Sequence, residues 1–215
     1  MAKSLSYAGR LQLIRAVLFG VQAYWSQLFL MPKKVIKLIE ATCRSYLWTG
    51  ESTITKKAMV AWEKICLPKG AGGLNIPNLQ LWNRAAICKL LWDLSMHKEK
   101  LWITWVHTYY IKRQDITTMD IPQQSSWMTR KILTMRKYWI TLGYINKIVH
   151  NNKFYIAKAY KMLRGEVVNV AWSKMISKNI AEPKHVFILW LNFHGRLRTK
   201  DILISWNMNV DPMCV

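Results

Sequence analysis

The run that most constrains this chain is PKGAGGLNIP, from Pro68 to Pro77, set between helix-like sequence on either side. Gly70, Gly72 and Gly73 give access to positive φ, and Pro68 and Pro77 each fix φ and remove a backbone donor. No regular helix passes through such a run, so it predicts a shaped loop. Asn78 follows as a candidate N-cap, and Leu79, Trp82, Ala86 and Leu90 then recur at spacings of three, four and four. The chain is therefore expected to bend between an N-terminal helical pair and a longer, Trp-rich helical array.

Before the loop, Tyr7, Leu11, Ile14, Leu18, Val21, Trp25 and Leu28 recur at spacings of four and three without a slip. This pattern predicts one helix with a single apolar seam, started by Ser6 and ended before Pro32. Arg10 and Arg15 flank the seam, and Arg10 is expected to be replaceable by Ala with little loss of stability. A second helix is predicted from Pro32 to Gly50, with Ile36, Ile39, Cys43, Tyr46 and Leu47 inward and Lys33, Lys37 and Arg44 on a separate basic face. After the loop, helical spacing returns over Lys98 to Lys112 and over Trp127 to Leu142. The polar stretch from Arg113 to Ser126 between them, which contains Pro122, reads as a connector. Gly143 to Asn152 marks a second boundary. Most of the 12 Trp fall on apolar faces, which points to packing rather than to base stacking. The expected fold is mainly α: an irregular multi-helix array with a Gly/Pro-rich loop, or two small helical subdomains. Its expected divisions are residues 1–50, 51–145 and 150–215.

Charge bounds the partner. The 215 residues hold 32 Lys and Arg against 11 Asp and Glu, a net charge of +21. Such a field favours nucleic acid or an anionic membrane surface. Among the cations, Arg10, Arg15, Lys33, Lys37, Arg44 and Lys69 are the candidate phosphate contacts. Membrane insertion is not expected, because Arg15, Gln22 and Gln27 interrupt the apolar run from Leu11 to Met31. A membrane-surface helix would need a continuous basic face opposite the seam, and only Arg10 and Arg15 supply one. Cys43, Cys66, Cys88 and Cys214 contain no Cys-x-x-Cys pair, and no secretory leader is visible. Free thiols in a reducing intracellular compartment, nuclear or cytoplasmic, are therefore expected. No adjacent acidic residues, P-loop, HExxH or nucleophile elbow occurs, so neither catalysis nor a cofactor is expected.

The segment AWEKICLPKGAGGLNIPNLQLWNRA resembles the region after the reverse transcriptase core in plant LINE-type (non-LTR) retrotransposon proteins. Asn75 stands where that family usually has a third Gly, and Asn tolerates the left-handed region best among other residues. LSYAGRLQLIRAVL is similar to the opening of the family's thumb. PKHVFILWLNFHGRLRTKDILISW, with Pro183, Lys184, Phe187, Leu189, Trp190, His194, Gly195, Arg196, Leu197, Thr199, Asp201 and Leu203 in place, resembles the start of its reverse-transcriptase zinc-binding domain. The resemblance implies an ancestral RNA-directed DNA polymerase whose palm aspartates lie upstream of Met1. It also implies that Cys214 is a lone remnant of a zinc-ligand set, so no metal is expected. Thr199 looks like an N-cap for Lys200 to Trp206. The retained role implied is non-specific RNA or DNA binding. The rival readings are a structural remnant without activity and a basic membrane-surface binder.

Overall fold

In the computed structural model, residues 5–96, 99–141, 148–177, 180–197 and 199 are described, and they are mainly α-helical. The Ser6 hydroxyl accepts the Gly9 N–H at 3.3 Å and starts α1, Tyr7–Ala23. Leu11, Ile14 and Leu18 of the seam are buried. The single unbroken helix expected to Leu28 is not formed. The chain breaks at Tyr24 and resumes as one turn, α2, Trp25–Leu28, on which Trp25 is 52% and Leu28 48% exposed. One buried amide holds the turn that follows α2. Asn83 donates to the carbonyls of Ser26 at 2.8 Å and Phe29 at 2.9 Å, and its Oδ1 accepts the Met31 N–H at 2.8 Å. Three backbone groups at the turn are met by a side chain, so they need no continuing helix.

Helix α3, Lys33–Thr49, follows Pro32 and stops at Gly50, as the sequence suggests. Helix α4, Trp62–Ile65, is one turn before the Gly/Pro loop. Asn78 caps α5, Leu79–Ser95, its Oδ1 accepting the Leu81 N–H at 3.0 Å. Then come α6, Leu101–Val106, and a wide turn over His107–Ile111. Helix α7, Trp127–Thr134, is capped by Ser126, and α8, Arg136–Thr141, follows it. A two-stranded hairpin, β1 Val149–His150 and β2 Lys153–Phe154, pairs Val149 with Phe154 and turns on Asn151 and Asn152, both at positive φ. Helices α9, Ile156–Arg164, α10, Ser173–Ser177, and α11, Pro183–Phe193, complete the described chain.

These elements form two compact units that interleave along the sequence. One comprises residues 16–38 and 77–166; the other comprises 1–15, 39–76 and 167–215. The first is centred on α5. Ala85, Ile87, Cys88, Leu91 and Leu94 of that helix are wholly buried, in a core shared with Ile103, Val106, Ile111, Leu133 and Ile148. A helix that is apolar on most of its circumference belongs inside its unit, and Asp93 on it pairs with Lys100 Nζ at 2.8 Å. The second unit is centred on the loop and held by rings. Tyr7 stacks on Phe187 at 5.5 Å, Trp48 flanks both, and Phe187 meets Trp190 at 5.4 Å.

Candidate nucleic-acid interface

The loop bonds to itself first. Gly73 N–H donates to Pro68 O at 3.0 Å, Leu74 N–H to Ile65 O at 2.9 Å and Asn75 N–H to Leu67 O at 2.9 Å. Asn75 has φ 55, which accounts for Asn in place of Gly there. Two glycines have no substitute. Gly72 has φ +81, and a Cβ on it would meet Trp172 Cη2 at 2.7 Å. A Cβ on Gly73 would run into the Leu67 carbonyl.

Three of the loop's carbonyls, those of Gly70, Gly72 and Leu74, face away from its own bonds and collect donors from distant sequence. Gly72 O accepts Trp190 Nε1 at 2.7 Å and also His194 Nε2 at 3.0 Å, which fixes the Nε2-protonated tautomer of His194. Gly70 O accepts the Val170 N–H at 2.9 Å. Trp172 stacks on Phe193 at 5.0 Å and 2° and meets the His194 ring edge-on. Leu74 O accepts Arg15 Nη2 at 2.7 Å. Burial lowers the Arg15 pKa from its ordinary value.

This arrangement brings together two of the six candidate cations. Arg15 and Lys69, far apart in sequence, line one cavity of about 250 Å³ beside α1, the loop and α11. Lys33 and Lys37 stand exposed in the first turns of α3. Arg44, further along α3, is half-buried; burial and then the Glu63 carboxylate raise the Glu40 pKa, and the Arg44 charge opposes them. Arg10 does not stay on the surface. It is 9% exposed, donates to Leu47 O at 3.3 Å and lies over the Tyr7 ring, with its guanidinium against Gly50. The expectation that Arg10 can be replaced without loss of stability is therefore corrected, because its side chain is interior.

The wider surface is cationic. Lys56, Lys57, Lys64, Lys112, Arg113, Lys153, Lys158, Lys161 and Lys174 are all exposed. Among the described residues Lys100 pairs with Asp93 and Lys184 with Glu182. Cys43, Cys66 and Cys88 are free and buried, and burial pushes the Cys88 thiol up to about 12. No group of three metal-ligand side chains is found among the described residues. No described helix is long and apolar enough to cross a membrane. Cys214 and the turn proposed from Lys200 to Trp206 lie outside the described residues.

Residues 154–215 match a family described as zinc-binding in reverse transcriptase. The chain is also similar to a protein of Arabidopsis thaliana that bears the name ribonuclease H protein. The two are 36% identical over 100 residues, which is 46% of this chain and 16% of the relative. The aligned part thus spans about a sixth of that relative's length. No solved structure matches the chain. The two matches support a retrotransposon-type protein related to reverse transcriptase.

Proposed function

We propose that this chain is a thumb-and-connector region of a plant LINE-type retrotransposon polyprotein. It runs into the zinc-binding domain and serves to hold RNA or DNA without sequence choice. It does not itself polymerise, and the RNA-directed DNA polymerase activity belongs to the parent protein. The observation that carries this reading is the surplus of exposed cations among the described residues on a chain of net charge +21. The match over residues 154–215 supplies the context.

Phosphate contacts release counterions, so affinity falls with salt in proportion to the number of phosphates neutralised. Lys33 and Lys37 on α3, with Lys69 and Arg15 at the loop, supply such contacts. For about five neutralised phosphates on a duplex, the log–log salt slope is roughly −4 to −5. Fluorescence anisotropy with labelled duplex and single strands of unrelated sequence measures it. Similar affinity for all sequences with a slope of that size supports the reading; salt-independent binding, or none at low salt, overturns it.

A further inference from the structure

We propose that the cavity between α1, the Gly/Pro loop and α11 binds a phosphate monoester carried on an apolar, flat group. That chemistry belongs to the phosphorylated end of a nucleic-acid strand and to a free mononucleotide. The site deepens the nucleic-acid reading and, for the strand end, rests on it.

The cavity joins one fork of donors to one point charge. A guanidinium carries five N–H donors, and Arg15 uses one of its nitrogens on Leu74 O at 2.7 Å. Among the described residues no Asp or Glu lines the cavity. Arg15 is therefore a half-buried cation without a carboxylate, a costly arrangement that an anion relieves. Lys69 is exposed and opens the 3₁₀ turn Lys69–Ala71. The loop's backbone bonds hold that turn, with Ala71 N–H on Pro68 O at 2.9 Å and Gly72 N–H on Lys69 O at 3.1 Å. Planar fork and ammonium together match a terminal phosphate with its extra charge.

Apolar side chains line the rest of the cavity, Leu11, Leu74, Val186 and Phe187 among them. Pro183, at the start of α11, also lines the cavity and adds the positive end of that helix. Glu182, just before it, is met by Lys184 Nζ at 3.5 Å. A volume of about 250 Å³ falls below the roughly 300 Å³ at which drug-sized sites begin. It suits one phosphate with part of the group it esterifies rather than a length of backbone.

The test compares a short oligothymidylate bearing a terminal phosphate with the same strand ending in a hydroxyl, by anisotropy on the full chain. The phosphorylated strand should bind about tenfold more tightly, the scale of one added charge-assisted contact. That advantage should vanish in Lys69→Gln and Arg15→Gln and persist in Lys64→Gln, whose lysine is exposed outside the cavity. Lys69 is exposed, so its variant should keep the wild-type melting temperature. Adenosine monophosphate should compete with the phosphorylated strand better than inorganic phosphate does. Equal affinity for the two strands, an advantage that survives in a Lys69→Gln chain of unchanged melting temperature, or equal competition by inorganic phosphate would overturn the proposal. Salt-sensitive binding of both strands with no phosphate advantage removes the pocket and leaves the nucleic-acid reading standing. Binding of adenosine monophosphate that is lost in Lys69→Gln, with no strand bound, supports the pocket and overturns that reading.

Discussion

The two units solve the same problem differently. Around α5 the backbone satisfies itself within the helix, and the surrounding core is mostly Leu, Ile and Val with Trp92 and Tyr160 among them. Around the Gly/Pro loop the backbone leaves carbonyls facing outward, and those must be met. The unit therefore recruits large side chains that carry N–H groups: Trp190 and His194 on Gly72 O, and Arg15 on Leu74 O. In the α5-centred unit the same device, through Asn83 and Arg136, serves turns and not the central element.

Truncating one central side chain in each unit is the sharpest way to separate them. Trp190, fully buried and bonded to the loop, should cost about 3–5 kcal/mol as Trp190→Ala. Native-state hydrogen exchange should then show lost protection in residues 39–76 while α5 keeps its own. Leu91→Ala in α5, also fully buried, should cost about 2–5 kcal/mol with the opposite pattern. If both variants lower protection uniformly, the chain is one cooperative body and the contrast fails.

Smaller effects follow from the polar contacts. Asn83→Ala removes the partner of three backbone groups in and after α2 and should cost about 1–3 kcal/mol in thermal melts. Arg10→Ala should destabilise by about 1–3 kcal/mol, through the lost Leu47 contact and the packing against Tyr7 and Gly50. A neutral Arg10→Ala would return that residue to the surface.

The buried thiols set an alkaline limit in each unit, Cys66 in the loop-centred one and Cys88 in the α5-centred one, both pushed from the ordinary 9.0 to about 12. Between those values the unfolded chain has lost the proton that the folded chain keeps. Stability is thus unaffected below pH 9.0 and falls as pH rises towards about 12. Comparing Cys88→Ala with wild type in alkaline melts should show a shallower fall; identical slopes would mean that this thiol is not the cause. Least of all, Lys33→Gln with Lys37→Gln should leave stability within about 0.5 kcal/mol. The same pair should reduce the magnitude of the duplex salt slope by about two.

Much of the helical content was legible because it is local. Ser6, Asn78 and Pro32 mark helix starts through their own chemistry, and Gly50 marks a stop. The break at Tyr24 was not legible, because the seam's spacing continues through it, and neither was the turn after α2, which is held by Asn83, more than fifty residues away in sequence. Likewise Asn151 and Asn152 carry the signal of a tight two-residue turn, yet the strands they join are only two residues each and show no alternation to read. At the candidate interface, charge alone picked out Arg10 together with Arg15. Spacing along α1 does not say that one guanidinium turns to Leu47 and Gly50 while the other reaches Leu74. Arg136, which gathers the carbonyls of Ile116 at 2.9 Å and Met119 at 2.6 Å, was missed for the same reason.

The bond from Trp190 to Gly72 closes a separation of 118 residues. Long closures form slowly, because the ordering entropy comes before any contact rewards it. On a translating ribosome the α5-centred unit has all its sequence once residue 166 has emerged. The Gly/Pro loop must by then have waited through nearly a hundred residues of synthesis with its outward carbonyls still bonded to water. The centre of one unit is thus made early and completed last, and the Trp190 indole N–H is the signal that reports its completion.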